Sequence, residues 1–213
     1  MYHILHGVKF ENFSSGVIKH SSQDLGLTLN SQNIGMPAPK TIQVDISGAD
    51  GILDLTESFG EVKYNNRTLQ FTFTRIEKII SWDIRKSIVA NFLHGQKMKI
   101  SVWSDPDYYY IGRCTVDEYN SSRKKGTIVV TCNCEPYKYK ADKTTQTIES
   151  GTNTITNNGR KTVHADLTCT TSVTVNGAVY TAGTYTNKIK LVSGSNTITS
   201  TGKATLTYRE GAL

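Results

Sequence analysis

Apolar and polar residues alternate along several segments of the chain, and this pattern limits the possible fold more than any other feature. In residues 69–74, Leu69, Phe71 and Phe73 alternate with one Gln and two Thr. Successive side chains of a β-strand point to opposite faces, so this segment is predicted to be a strand with one buried face. The same period recurs between Gly, Pro, Asn and Ser clusters in Leu25/Leu27/Leu29, Ile42/Val44/Ile46, Met98/Ile100/Val102 and Ile128/Val130/Cys132. The sequence therefore predicts a mainly β fold.

One segment, SWDIRKSIVANFLHGQ at residues 81–96, breaks the alternation. Ser81 can cap a helix, Asp83 suits the positive end of its dipole, and Gly95 can adopt the left-handed conformation that ends it. Apolar residues follow at helical spacing, with Ile84, Ile88 and Phe92 on one ridge and Val89 and Leu93 on the next. The pattern predicts a single amphipathic helix whose apolar face packs on a sheet.

The composition changes near residue 143, which predicts a boundary between a domain of residues 1–143 and one of residues 144–213. Thr accounts for 19 of the 70 residues from Thr144 onward. The stretch SGTNTITNNG at residues 150–159 recurs as SGSNTITSTG at residues 193–202. Between the two copies, Asn176-Gly177 flanked by alternating residues predicts a β-hairpin. The second domain is therefore expected to be a small β-sandwich.

The composition excludes several classes of protein. The chain is 37% hydrophobic and 20% charged, which is typical of a globular protein, and no apolar run approaches the ~18 residues that cross a bilayer. The start lacks the pattern of a secretory signal, so synthesis and folding in a cytoplasm, with no membrane association, are expected. The net charge of +6 is spread evenly. Its densest cluster, at residues 123–125, is interpreted as a solvated turn, and no sequence-specific nucleic-acid site is predicted.

The four cysteines are expected to be buried, reduced thiols, because a cytoplasm keeps thiols reduced. Cys132 and Cys134 lie two apart in a predicted strand, and no second Cys or His pair follows at zinc spacing. We therefore expect neither a metal nor another cofactor.

The sequence contains no recognisable catalytic motif. It has no nucleophile elbow, phosphate-binding loop, dinucleotide fingerprint or zinc-protease helix. The carboxylates keep a hydrolase open as an alternative, since two acids suffice to cleave a glycoside. Asp54 and Glu57 lie close in sequence, as do Asp105 and Asp107, but turn acids beside solvent are the favoured interpretation. The protein is expected not to be an enzyme.

Taken together, several stretches resemble the distal tail protein (Dit) family of long-tailed, siphovirus-type phages and prophages of Gram-positive bacteria. These stretches, in order, are GADGILDLTESFGEVKYNNRTLQFTFT, FLHGQKMKI, DPDYYYIGRCTVDEY, TIVVTCNCEPYKYK and SGSNTITSTGKATLTYREGAL. The resemblance spans nearly the whole chain. Residues that match the family pattern, with architectural roles, are Gly51, Asp54, Leu55, Thr56, Arg67, Gly95, Asp105, Tyr109, Gly112, Arg113, Pro136 and Tyr137.

The resemblance implies a non-enzymatic structural hub in the virion, at the distal tip of the tail. Such proteins form a hexameric ring between the major tail tube protein and the tail-associated baseplate protein, and the genome passes through the lumen. The implied fold is an N-terminal β-sandwich with one helix and a projecting β-hairpin, followed by a galectin-like β-sandwich that can carry a receptor-binding protein. Here the second domain is short and carries no inserted carbohydrate module.

The hairpin implied by the resemblance corresponds to the strand-like ILDL and EVKY, which flank a polar loop, while residues 69–74 stay in the parent sandwich. A closed ring needs two different surfaces that fit each other on neighbouring subunits. The predicted inter-subunit contacts are Ile52, Leu53, Asp54, Leu55, Val62 and Tyr64. An alternative is that this segment folds over its own domain. A second alternative, a carbohydrate-binding adhesin, is disfavoured because the second domain has no Trp or Phe and only three Tyr.

Overall fold

The computed structural model describes residues 6–58, 60–75, 81–121 and 126–213. Its regular structure is almost entirely antiparallel β-sheet, which confirms the mainly β class with β-sandwich architecture. The basic cluster at residues 123–125 lies outside the described residues.

The described chain divides into two compact units, one of residues 1–106 and 110–136 and the other of residues 107–109 and 137–213. Residues 107–109 belong to the second unit because Tyr108 and Tyr109 pair with Lys140 and Tyr139. The chain therefore passes from the first unit to the second between Pro136 and Tyr137. The boundary proposed after Lys143 remains a prediction about where the chain separates into independent domains.

The strands of the first unit form an antiparallel sheet in the order β2-β1-β7-β8-β9-β6-β3. Their bounds are β1 Val8–Asn12, β2 Ile18–His20, β3 Leu27–Ile34, β6 Arg67–Arg75, β7 Lys97–Val102, β8 Tyr108–Ser121 and β9 Gly126–Cys134. A separate pair, β4 Gln43–Asp45 and β5 Ile52–Asp54, is not part of that sheet.

The core of the first unit lies on one face of this sheet. Four of the five alternating rows predicted from the sequence, including Phe71, Phe73, Ile100 and Val130, are buried there. Cross-strand register brings these rows together, because residues directly opposite in an antiparallel pair project to the same face. Phe71, for example, lies opposite Val130.

The predicted helix is present as α1, Trp82–Leu93, and it is the only helix in the ranges described. Ser81 caps it by accepting a hydrogen bond from the backbone N–H of Ile84, and Gly95 takes the left-handed conformation at φ 73°. The predicted apolar face was right for Val89 and Leu93, which are buried, but wrong for Ile84 and Ile88, which are exposed. The buried side chains of the helix are Trp82, Arg85, Val89 and Leu93. Because Trp82 and Arg85 are buried, the buried face of the helix lies one ridge away from the face predicted by the apolar residues that recur every four positions.

Within residues 137–213, all of which are described, the strands from β11 to β18 form two four-stranded sheets. Their orders are β11-β18-β13-β16 and β12-β17-β14-β15, and one hydrophobic cluster draws residues from both. The bounds are β10 Lys138–Lys140, β11 Thr144–Ile148, β12 Gly151–Asn157, β13 Val163–Cys169, β14 Val173–Val175, β15 Ala178–Tyr180, β16 Gly183–Leu191, β17 Gly194–Ser200, β18 Ala204–Tyr208 and β19 Gly211–Ala212. The predicted hairpin is confirmed, with Asn176 and Gly177 both at positive φ between β14 and β15.

The repeated sequence corresponds to β12 and β17, which pair with each other. Thr154 lies opposite Thr197, its own counterpart in the other copy, so a local two-fold axis passes between them. The two Asn residues also have matching roles. Asn153 bonds both backbone groups of Glu149, and Asn196 does the same with Val192.

Candidate assembly interface

A two-stranded ribbon leaves the first unit between β3 and β6, and we call it the arm (residues 38–58 and 60–65 of the described chain). Its outer part is β4 paired with β5, and the backbone N–H of Leu55 extends this pairing by bonding the carbonyl of Ile42 at 2.8 Å. Nearer the sheet, residues 38–40 pair with residues 63–65. Lys40 bonds Lys63 at 2.7 Å, and Asn65 bonds Ala38 at 2.8 Å.

The register of β4 and β5 sorts the side chains of the arm onto two faces. Val44 lies opposite Leu53, so these two side chains share a face with the residues two positions away on each strand. The apolar face of the arm comprises Ile42, Val44, Ile46, Leu53 and Leu55. The polar face comprises Gln43, Asp45, Ile52 and Asp54.

The apolar face of the arm is open to solvent. Ile42, Val44, Ile46 and Leu53 are between 41% and 48% exposed, and none of them belongs to the buried core of the first unit. An alternating row in a sheet ordinarily covers a core, yet this row belongs to no hydrophobic core formed by the described residues. A contiguous exposed apolar surface of this kind is typical of an interaction site.

The structure separates the sequence-predicted site residues into three groups. Leu53 and Leu55 lie on the apolar face, whereas Ile52 and Asp54 lie on the polar face. Val62 and Tyr64 are half-buried near the sheet, where Tyr64 forms an isolated bridge with Pro39. That these residues contact another subunit remains a prediction.

Sequence reasoning missed the other half of the apolar face, which is Ile42, Val44 and Ile46. Their alternation was visible but was assigned to an ordinary strand. The partner strand of Ile52–Asp54 is the upstream β4, and the EVKY segment pairs only near the base of the arm. The pairing of β4 with β5 could have been predicted from the small-residue turn SGADG at residues 47–51, which lies between two apolar alternations.

Asp54 has a structural role where β5 ends. Its carboxylate accepts a hydrogen bond from the backbone N–H of Thr56 at 2.9 Å, while the Thr56 hydroxyl accepts one from the N–H of Ile42 at 3.0 Å. Side-chain and backbone hydrogen bonds from Thr56 lower the pKa of Asp54 below its ordinary value. A general acid needs a raised pKa, so this environment disfavours Asp54 as the acid of a glycosidase.

An open depression of about 580 Å³ lies beside Asp54 on the arm. Its lining residues are Pro39, Thr41, Asp54, Thr56, Glu57, Ser58 and Val62. Glu57, the other acid that a hydrolase would use together with Asp54, also lines this depression. Within the described residues, no three His, Cys, Asp or Glu side chains are grouped so that they could hold a metal ion.

The buried thiols lie in the core of the first unit, except for Cys169 in the second. Cys114 and Cys132 lie directly opposite on β8 and β9, with 2.8 Å between their sulfur atoms. Burial raises the pKa of Cys134 to about 12, and it raises the pKa of Cys132 as well. Thiols held neutral in this way are poor nucleophiles.

The three tyrosines of residues 144–213 do not form an open platform for a sugar. Tyr208 is buried and donates its hydroxyl to the carbonyl of Thr156 at 2.9 Å. Tyr180 and Tyr185 pack edge to face at 5.1 Å between ring centroids and contact the core. This arrangement weakens the adhesin alternative.

None of the helices described is long and apolar enough to cross a bilayer. No protein-family model matches the sequence, and no curated protein matches it either.

Comparison with solved structures reveals a similar fold over the full length. The Dit protein of phage SPP1, described as a paradigm of the hub adsorption apparatus in phages that infect Gram-positive bacteria, superposes with a TM-score of 0.71. The match covers 99% of this chain and 100% of that one, at 14% sequence identity. The baseplate of phage p2, in its activated conformation with Sr, matches at a TM-score of 0.47 and 6% identity, over 97% of this chain and 98% of that one. The chain therefore has the fold of SPP1 Dit.

Proposed function

We propose that the chain is the structural hub at the distal end of a phage tail, where six copies form a ring. The ring joins the major tail tube protein to the tail-associated baseplate protein, and the genome passes through its lumen without sequence-specific contacts. The second unit offers an outward attachment point for a receptor-binding protein. In this proposal the protein acts by assembly and catalyses no reaction.

The observation that carries the proposal is the open apolar face of the arm. Full burial of a Val, Leu or Ile side chain is worth about 1.5–3 kcal/mol, so a chain that leaves four of them roughly half-exposed forgoes several kcal/mol. A second copy that covers this face would recover much of that free energy. The full-length likeness to a protein described as part of a hub adsorption apparatus supports the same role.

A ring also explains why the contact is a projecting ribbon. In a cyclic assembly each interface is head-to-tail, so a surface on one side of a subunit meets a different surface on its neighbour. A ribbon that leaves the sheet can reach the next subunit while its own core stays intact. The arm has this form, since β4 and β5 pair only with each other in the described chain.

Light scattering after size exclusion tests the proposal directly. We expect a particle of about six chains, and electron microscopy of that particle should show a ring with a central channel. A protein that stays monomeric would refute the hub, and a monomer that binds host cell walls would favour the carbohydrate-binding adhesin.

A further inference from the structure

A buried guanidinium lies where β6 begins, next to the base of the arm. Arg67 is the first residue of β6 and is only 2% exposed, because its side chain is on the core face of the strand with Leu69 and Phe71. A guanidinium keeps its charge in proteins, and a buried charge ordinarily needs a carboxylate beside it. None of the ion pairs among the described residues includes Arg67. Weaker groups therefore compensate its charge.

Two such groups contact the Arg67 guanidinium. The ring of Tyr110 faces it, with 5.5 Å between the ring centroid and Cζ, and Nη2 donates a hydrogen bond to Sδ of Met36 at 3.7 Å. A thioether sulfur is a weak acceptor. The Nε–H of Arg67 is buried and has no acceptor among the described residues. The guanidinium thus offers more donor capacity than its surroundings use, which costs free energy in a buried group.

Met36 is the accessible partner in this contact. It is 72% exposed, whereas Met98 is fully buried in the core of the first unit. A peroxide oxidises a thioether that it can reach, so Met36 should react much faster than Met98. With hydrogen peroxide, the sulfur lone pair attacks one oxygen, the O–O bond breaks, and the second oxygen leaves as water. The sulfur loses two electrons to the peroxide and becomes a sulfoxide.

Oxidation replaces the weak acceptor at position 36 with a strong one. The sulfoxide oxygen is polar and is bonded to the same sulfur atom that Nη2 of Arg67 already contacts. Hydrogen bonds from a charged donor are stronger than those between neutral groups. A methionine sulfoxide inside a core disrupts packing. Met36 lies outside the core, so the new hydrogen bond should instead make oxidation stabilising.

Met36 also lies at the junction between the sheet and the arm. Just before it, the N–H of Gly35 bonds the carbonyl of Thr68 at 2.9 Å. Just after it, the carbonyl of Ala38 accepts the N–H of Asn65 at 2.8 Å. A stronger contact at Met36 would therefore hold the base of the arm more firmly against the start of β6.

We propose that Met36 is a reversible oxidation site whose sulfoxide is bound by the Arg67 guanidinium. The oxidant is a peroxide, and the enzymes that reverse the modification are methionine sulfoxide reductases. In the reverse reaction two thiols supply the electrons, and the oxygen leaves as water. The site lies within one chain, so it does not depend on formation of the ring.

Mass spectrometry and thermal melting of the peroxide-treated full chain test the site. Trypsin cuts after Lys19 and Lys40, so the peptide of residues 20–40 contains Met36 and no other methionine. This peptide should gain one oxygen while Met98 stays unmodified. The Tm should rise by about 3 °C or more, as expected for one added hydrogen bond to a charged donor. Treatment with methionine sulfoxide reductases should restore both the mass and the Tm.

Two substitutions of Met36 separate the sulfoxide from other effects of peroxide. Met36→Gln places a carboxamide oxygen near the position of the sulfoxide oxygen, so its Tm should rise without peroxide. Met36→Leu removes the acceptor and should melt no higher than the unchanged protein. Peroxide should leave the Tm of both variants unchanged. The position is exposed, so both variants should fold, and circular dichroism verifies this.

Arg67→Lys tests the donor, since an ammonium lacks the planar guanidinium fork. Adding Met36→Gln to Arg67→Lys should no longer raise the Tm. If Arg67→Lys does not fold, the Met36 variants still decide the outcome. A Tm of the unchanged protein that stays the same or falls on oxidation of Met36 would overturn the proposal. An equal rise in peroxide-treated Met36→Leu would overturn it too.

Discussion

The two faces of the arm predict opposite results for two neighbouring lysine substitutions. Leu53→Lys changes the apolar face, whereas Ile52→Lys changes the polar face. Ile52 is the more exposed of the two, at 63% against 48% for Leu53. If exposure alone decided which residue binds a neighbour, Ile52→Lys would weaken the ring more. The register of the arm predicts the reverse.

The magnitude follows from the exposure of Leu53. Full burial of a Leu side chain contributes about 1.5–3 kcal/mol, so its exposed half is worth about 1 kcal/mol at an interface. Placing a lysine ammonium in that apolar contact costs about 1–2 kcal/mol more after partial escape to water. The sum, about 2–3 kcal/mol, corresponds to roughly a 30- to 160-fold weaker contact between subunits.

Ile52→Lys should leave the contact within about 0.5 kcal/mol of its original strength, as for other surface substitutions. Its ammonium would lie opposite Asp45, where a cross-strand ion pair is favourable. Sedimentation equilibrium over a dilution series measures both dissociation constants, with circular dichroism as the control for folding. Equal weakening by the two substitutions, or greater weakening by Ile52→Lys, would refute the assignment of the faces.

The remaining predictions concern the thiols, catalysis and the domain boundary. Because Cys132 and Cys134 are buried and burial raises the pKa of both, these two thiols should not react with a disulfide reagent at pH 8, and four thiols should titrate after unfolding. Fewer than three would indicate a disulfide. Incubation with host cell walls should release no soluble sugar, and release that disappears in Asp54→Asn or Asp107→Asn would show a hydrolase. A chain ending at Pro136 should still unfold cooperatively and oligomerise, because the arm and the core of the first unit remain. Loss of cooperative unfolding would indicate one shared core.

Features that depend on neighbouring residues alone were predictable from the sequence. The strand rows, the Ser81 cap, the left-handed Gly95 and the Asn176-Gly177 hairpin all follow from local geometry, and all are present. In each case the preference arises within a few residues, so no distant contact is needed to determine it.

Contacts between distant segments determined the features that the sequence did not predict. The ridge of α1 that faces the core depends on where the sheet lies, and Trp82 and Arg85 are buried in place of Ile84 and Ile88. A helical pattern with apolar residues on adjoining ridges is compatible with either orientation.

The arm illustrates the same division most clearly. Residues 42–46 and residues 69–73 have the same alternation, yet Phe71 is fully buried while Val44 is 41% exposed. Alternation determines that a strand has one apolar face, but what covers that face depends on pairing across the chain or between chains. Phe71 lies between two neighbouring strands over a core, whereas Val44 has only Leu53 opposite it. The sequence thus determined that the arm is an amphipathic strand, and only the tertiary structure showed that its apolar face is open for another chain to cover.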